Sequence, residues 1–282
     1  EAVEKHKDET DSGTYVIPGL KATMTVRGNR DRKASVCGGM TPQGITVSDK
    51  YLFISAYCHT KTHNSVIYVI DKETHEFLKE LVLPNKAHVG SLAYDDEYHN
   101  LWVCGSRNGV AQVNAISAEE IEAYHFTEEY RPIRFLHVNN ILDIPRSSFM
   151  TYDHSYLYVG YYSTKGNGMI KKYELQDDGN IQSVRVEYDG QHSRQGVADE
   201  DDLEISRYAQ GMTFLGDMLF LSYSMGITPS RLAAYQVSDG IRDYTDEMAL
   251  QDIRLPRMLE QICMAGGTMY LLFESGAYAY RG

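Results

Sequence analysis

The chain has a single tryptophan, seven prolines, four cysteines and no long apolar run. Without an apolar stretch of about 20 residues, no helix crosses a bilayer. Four cysteines in 282 residues do not make a disulfide scaffold, and no paired-cysteine metal motif is present. Basic residues are also short, 27 against 39 acidic for a net charge of −12. Nucleic-acid binding needs a basic face, so no nucleic-acid partner is expected. Phosphate-cradling glycine loops and nucleophile elbows are missing as well.

Apolar residues, by contrast, make up 43% of the chain, enough for a large buried core. Tyrosine is abundant at 22, a residue that suits strand faces and polar-tipped surfaces. The first 13 residues are polar, charged and without apolar period, and read as a flexible spacer. Residues 14–282 read as a single domain. The spacer suggests an exported protein, secreted or at the cell surface, and a monomer is expected. Cys104 and Cys263 fall in apolar strands and read as buried thiols. Cys37 and Cys58 flank the first repeat, where a bridge and two free thiols are both open.

Repeats dominate the sequence. Five hairpins align on their first strands, with Gly44, Gly90, Ser148, Gly211 and Gln261 in one column. A turn column follows at Asp49, Asp95, Asp153, Gly216 and Gly266, residues that tight turns accept. The second strands, among them "YLFIS", "LWVCG" and "MLFLS", are apolar on both faces, as in stacked sheets. Third strands follow, then fourth strands, three of which end in proline ("LVLPNK", "LDIPRS", "IRLPRM"). "QSVRVEY" reads as the fourth strand of the third repeat. The fifth repeat stops after its third strand, and "TYVIPGL" (Thr14–Leu20) has the character of the missing one. The pattern predicts an all-β, five-bladed β-propeller with four antiparallel strands per blade, the N-terminal strand closing the last blade. "SAEEIEAY" (Ser117–Tyr124) predicts a short capped helix between outer strands.

Gln43-Gly44-Ile45 and the blade phrasing around it resemble secreted and periplasmic bacterial propellers, among them the glutaminyl-cyclotransferase-like five-bladed propellers and the broader YncE/NHL-like group, which implies a bacterial source. The cyclotransferase acids have no counterpart at Ile54–Tyr57 or at His88–Ser91. The resemblance therefore implies architecture and leaves the activity unassigned.

In such a wheel the inner strands start at the top mouth of the central channel. The residues expected there are Gln43, Tyr57, His88, Arg146, Ser147, Tyr161, Gln210, Tyr223 and Glu260, with Tyr162 and Glu274 beside them. They would form a polar, tyrosine-rimmed pocket for a small molecule, glycan or peptide. The amides and Ser147 could equally bond one another around the channel. An enzyme is the alternative: His88, Glu260 and Glu274 are its candidate catalytic groups, His88 and Glu260 as an acid–base pair. Two insertions feed this face. Gly19–Met40 has a basic cluster (Lys21, Arg27, Arg30, Arg32, Lys33) fit to draw an anion. His192–Ser206 carries Asp199, Glu200, Asp201, Asp202 and Glu204, a solvated acidic loop or a Ca²⁺ site outside any known loop pattern. No other cofactor or metal is expected.

Overall fold

The computed structural model describes residues 17, 19–28, 33–188, 192–197 and 202–274. The repeats become antiparallel sheets. Blade 1 runs Met40–Val47, Tyr51–Cys58, Val66–Asp71, Phe77–Val82. Blade 2 runs Leu92–Asp95, Asn100–Arg107, Val110–Ser117, His137–Ile141. Blade 3 runs Phe149–Asp153, Tyr156–Gly160, Gly168–Glu174, Asp202–Ile205, with Asp243–Tyr244 added in parallel at its edge. Blade 4 runs Ala209–Leu215, Met218–Tyr223, Ser230–Gln236, Gln251–Leu255. A two-stranded sheet, Leu259–Ala265 with Thr268–Phe273, follows.

The repeats predict five four-stranded blades, and the described residues contain four sheets of four strands or more. The expected third strand of the last repeat, and Tyr278 within it, lie outside the described residues. So do Thr14–Val16 and Pro18 of the expected closing strand. Its described residues, Ile17, Gly19 and Leu20, form no strand. The chain here makes a separate hairpin instead, Thr23–Thr25 with Ser35–Cys37. The fourth strand of blade 3 also differs from expectation. Ser183–Tyr188 pairs with His192–Val197 in a hairpin of its own, and Asp202–Ile205 completes the sheet. Alternation explains the choice: Leu203 and Ile205 point into the core between Asp202 and Glu204, which face out.

The innermost strands nevertheless close a ring. Met40–Val47 packs on Leu92–Asp95, that strand on Phe149–Asp153, and that one on Ala209–Leu215. Leu259–Ala265 packs between Ala209–Leu215 and Met40–Val47. Apolar clusters fill the spaces between successive sheets. One joins blade 1 to blade 2 and takes in Leu272, another joins blades 2 and 3, and a third blades 3 and 4. Trp102 is wholly buried, its indole N–H donating to Asp95 Oδ2 at 3.0 Å. Asp95 Oδ1 accepts from Tyr98 N at 2.6 Å, so this turn-column acid holds both the turn and the tryptophan.

The aligned column is where the ring is tightest. A Cβ on Gly44 would sit 2.9 Å from Ser91 Cα, and one on Gly211 would sit 2.8 Å from Gln261 Cα. Real side chains do not approach backbone so closely, which is why the column is mostly glycine. Ser148 and Gln261 are the exceptions, and Gln261 has a role of its own. Only 2% exposed, it reaches across the axis. Its Oε1 accepts from Ile45 N (2.8 Å) and Leu92 N (2.9 Å), and its Nε2 donates to Leu92 O (2.6 Å) and Met150 O (3.2 Å). One side chain thus binds the inner strands of blades 1, 2 and 3 and plugs the channel.

The helix Ala118–Ala123 forms as its capping pattern predicts, with Ser117 Oγ accepting from Glu120 N at 3.2 Å. Ser117→Ala is expected to cost about 1 kcal/mol of stability, read as a lower urea midpoint at unchanged slope.

Candidate functional site

Above the Gln261 plug lies a cavity of about 420 Å³. Its lining includes Gln43, His88, Arg146, Ser147, Gln210 and Glu260, together with Tyr162 and Glu274. Blades 1 to 4 and the two-stranded sheet all contribute.

Three of these residues are placed by the same backbone device. In blade 1, Pro42 pairs with Ala56 and Gly44 with Ser55, so Gln43 has no partner in the ladder. In blade 4 the register jumps from Ala209 to Gly211 and leaves out Gln210. In the two-stranded sheet it jumps from Leu259 to Ile262, skipping Glu260 and Gln261. Each jump is a β-bulge, which turns a side chain away from the regular alternation. At the inner strands that turn delivers Gln43, Gln210 and Glu260 to the mouth. The bulges are pinned from the second strands. Ser55 Oγ accepts from Gly44 N (2.9 Å) and donates to Val89 O (2.7 Å), and Ser222 Oγ donates to Glu260 O (2.7 Å). Val89, β-branched and buried, is held at φ +50°, a strained backbone beside His88 on the cavity wall.

Glu260 is the most unusual group here. It is 7% exposed, and no hydrogen bond to its carboxyl is found among the described residues. Burial, with the Glu274 charge added, pushes its pKa up to about 8. Glu274 is half-buried; its backbone N–H donates to Met258 O at 2.8 Å, which fixes it at the rim. Burial raises its pKa too, while the nearby His59 and a hydrogen bond from Gln43 hold it down. The two carboxyls thus form an uneven pair, with Glu260 keeping its proton near neutral pH.

His88 packs against Tyr57, ring centroids 4.4 Å apart and planes tilted by 38°, and burial, assisted by Lys61, lowers its pKa. It stays a neutral imidazole at pH 7. Both His88 and Glu260 border the cavity, and no hydrogen bond joins them. Glu260 has Glu274 as its electrostatic partner. Ser147 Oγ donates toward Gly105 O (3.0 Å) and Gln112 O (2.8 Å), a structural role joining it to blade 2. Arg146 is exposed and has no ion-pair partner among the described residues; Gln210 likewise makes no side-chain hydrogen bond there.

The remaining tyrosines divide. Tyr57 backs His88, and burial followed by the charge of Glu274 raises its pKa. Tyr161 is half-buried against the core between blades 2 and 3 and is absent from the cavity lining. Tyr223 is 3% exposed and turned into the core of blade 4, its hydroxyl 2.9 Å from Tyr235 Oη and its ring under Arg231. Alternation along Met218–Tyr223 sends it inward, so it is not a mouth residue. Tyr162, on the loop beyond the second strand of blade 3, reaches the cavity in their place.

Among the described residues, neither insertion lines the cavity. Lys21, Arg27 and Lys33 are exposed, and Arg30 and Arg32 lie outside the described residues. Asp199, Glu200 and Asp201 also lie outside them. Asp202 pairs with Lys171, and Glu204 accepts from Asn167 Nδ2 at 2.6 Å. All four cysteines are free thiols, so Cys37 and Cys58 form no bridge. No helix among the described residues is long and apolar enough to cross a membrane.

No family model and no curated protein matches this chain. Among solved structures it is similar to the WD40 repeats of RRP9, at 10% identity and a TM-score of 0.48, covering 86% of this chain and 76% of that one. U3-55K is similar at 10% identity and 0.46, covering 80% and 72%. A structural-genomics protein from Bacteroides thetaiotaomicron is similar at 11% identity and 0.41, covering 91% and 71%. The chain is an all-β propeller on the evidence of its own ring of inner strands and radial sheets.

Proposed function

We propose that the chain is a five-bladed ligand-binding propeller whose top cavity takes a small polar molecule, a sugar or a peptide end. Five inner strands in one closed ring support the blade count, with Leu259–Ala265 and Thr268–Phe273 as the inner half of the fifth blade. The observation that carries the binding reading is Glu260: a buried carboxyl, facing a cavity, with no hydrogen-bond partner among the described residues. The carboxyl opens onto the cavity, where a bound acceptor would give its proton a fixed partner in place of water. Protonated Glu260 donates to a ligand carbonyl or ether oxygen. Gln210 offers a free amide nearby and Arg146 a cation at the rim, while Gln43 donates to Pro42 O at 2.8 Å.

A thermal-shift panel of mono- and disaccharides and N-acetylated dipeptides tests this. At least one member is expected to raise Tm at pH 7, with Gln210→Leu weakening the effect about tenfold, the loss of one hydrogen bond. The stabilisation fades as pH rises through about 8, where Glu260 loses its proton. No stabilisation by any member would sink the reading.

The same carboxyl supports a catalytic alternative, since an acid with a pKa of about 8 is placed to give a proton at neutral pH. Turnover of a bound panel member that Glu260→Gln abolishes would favour an enzyme over a binder.

A further inference from the structure

Away from the cavity axis, the N-terminal hairpin meets blade 1 at three side chains distant in sequence. Cys37 ends the strand Ser35–Cys37, Cys58 ends Tyr51–Cys58, and His63 lies in the loop that follows. Cys37 Sγ, Cys58 Sγ and a ring nitrogen of His63 all lie within 4.8 Å of one another, and all three residues are buried. No disulfide joins the thiols. His63 Nδ1 is 3.6 Å from Cys58 Sγ. A tetrahedral zinc ion, with Zn–S about 2.3 Å and Zn–N about 2.0–2.1 Å, sets its sulfur and nitrogen ligands about 3.5 Å apart.

The far side of the imidazole is also arranged. His63 Nε2 lies 3.0 Å from Ser35 Oγ, which accepts in addition from Arg27 Nε at 3.2 Å. When Nε2 carries the ring proton and donates it to Ser35, the Nδ1 lone pair is directed at the sulfurs. Such an outer hydrogen bond is the usual companion of a metal-bound histidine.

We propose that Cys37, Cys58 and His63 bind one zinc ion that ties the N-terminal hairpin to blade 1. Binding replaces two S–H bonds with two Zn–S bonds and releases both protons to solvent. With three protein ligands the fourth position goes to water or to an exchangeable ligand. Thiolate and imidazole favour zinc over calcium or magnesium. The site is distinct from the cavity and does not depend on what binds there.

Titration of the reduced, chelator-stripped full chain with Co²⁺ tests the proposal. The expected result is one equivalent bound, with a thiolate-to-cobalt charge-transfer band that Zn²⁺ displaces. Cys58→Ser and Cys37→Ser should each abolish tight binding, and Cys104→Ser should not. Ser35→Ala, which removes only the outer hydrogen bond, is expected to weaken binding about tenfold. Should the cysteine variants fail to fold, X-ray absorption of the zinc-loaded wild-type chain still decides, with two sulfur ligands expected. No charge-transfer band, a band unchanged in Cys58→Ser, or fewer than two sulfurs would each overturn the proposal.

Discussion

Gln261→Leu is expected to be among the most destabilising single substitutions in this protein. Leucine keeps much of the side-chain volume but none of the four hydrogen bonds to Ile45, Leu92 and Met150. Met150 O retains Ser91 Oγ as a donor at 3.2 Å. The amides of Ile45 and Leu92 and the Leu92 carbonyl lose this partner at the buried axis. At about 1–3 kcal/mol for each of these three orphaned groups, the loss is about 3–9 kcal/mol. That is a large share of the roughly 5–15 kcal/mol that holds a domain together. Urea unfolding should show it directly, and Tm should fall by about 10 °C or more. Gln261→Glu separates hydrogen bonding from volume: its carboxylate still accepts from both amides but cannot donate to the two carbonyls. It should therefore be more stable at low pH, where a protonated carboxyl regains one donor. A loss under about 1 kcal/mol for Gln261→Leu would mean that the inner strands close without this plug.

The second large effect concerns pH. Glu260 has a pKa of about 8 when folded, against an ordinary carboxylate value of 4.5. Between those values the folded chain holds a proton that the unfolded chain has released, so stability falls as pH rises. The favourable state is complete below about pH 4.5, is lost progressively up to about pH 8, and changes no further above that. Each tenfold difference in proton affinity between the two states is worth about 1.4 kcal/mol. The loss is therefore on the order of 5 kcal/mol, less where cavity water relaxes around the charge. Glu274, also raised by burial, slopes the same way. Urea unfolding at about pH 5 and about pH 8.5 should show the difference, and Glu260→Gln should remove most of it. An equal slope in wild type and variant would show that Glu260 ionises freely in the folded chain.

Much of the architecture is readable along the chain because a propeller is built by repetition. A hairpin written several times states its own alignment, and the columns of small and turn residues mark where strands converge and reverse. Gly44 and Gly211 are legible as a column, and the structure supplies the reason: a Cβ at either would come within 3 Å of the neighbouring inner strand's backbone. Two elements depart from the linear pattern for a physical cause. "QSVRVEY" alternates like an outer strand, yet any such segment can pair with another edge, and here Ser183–Tyr188 pairs with His192–Val197. Tyr223 stands at the mouth end of its strand, which makes it a rim residue by sequence position and a core residue in the fold. Whether a tyrosine at a strand end faces the channel or the core depends on register, which a bulge shifts by one.

The sequence by itself determined the hairpin repeats, the turn chemistry, the capped helix and most residues that border the top cavity. These depend on local spacing, which a linear chain states openly. Only the tertiary structure decided that Gln261 plugs the axis, that Glu260 is buried with Glu274 as its charged neighbour, and that Cys37, Cys58 and His63 meet. Those arrangements join residues from different blades and loops, and their distances follow from how the ring closes.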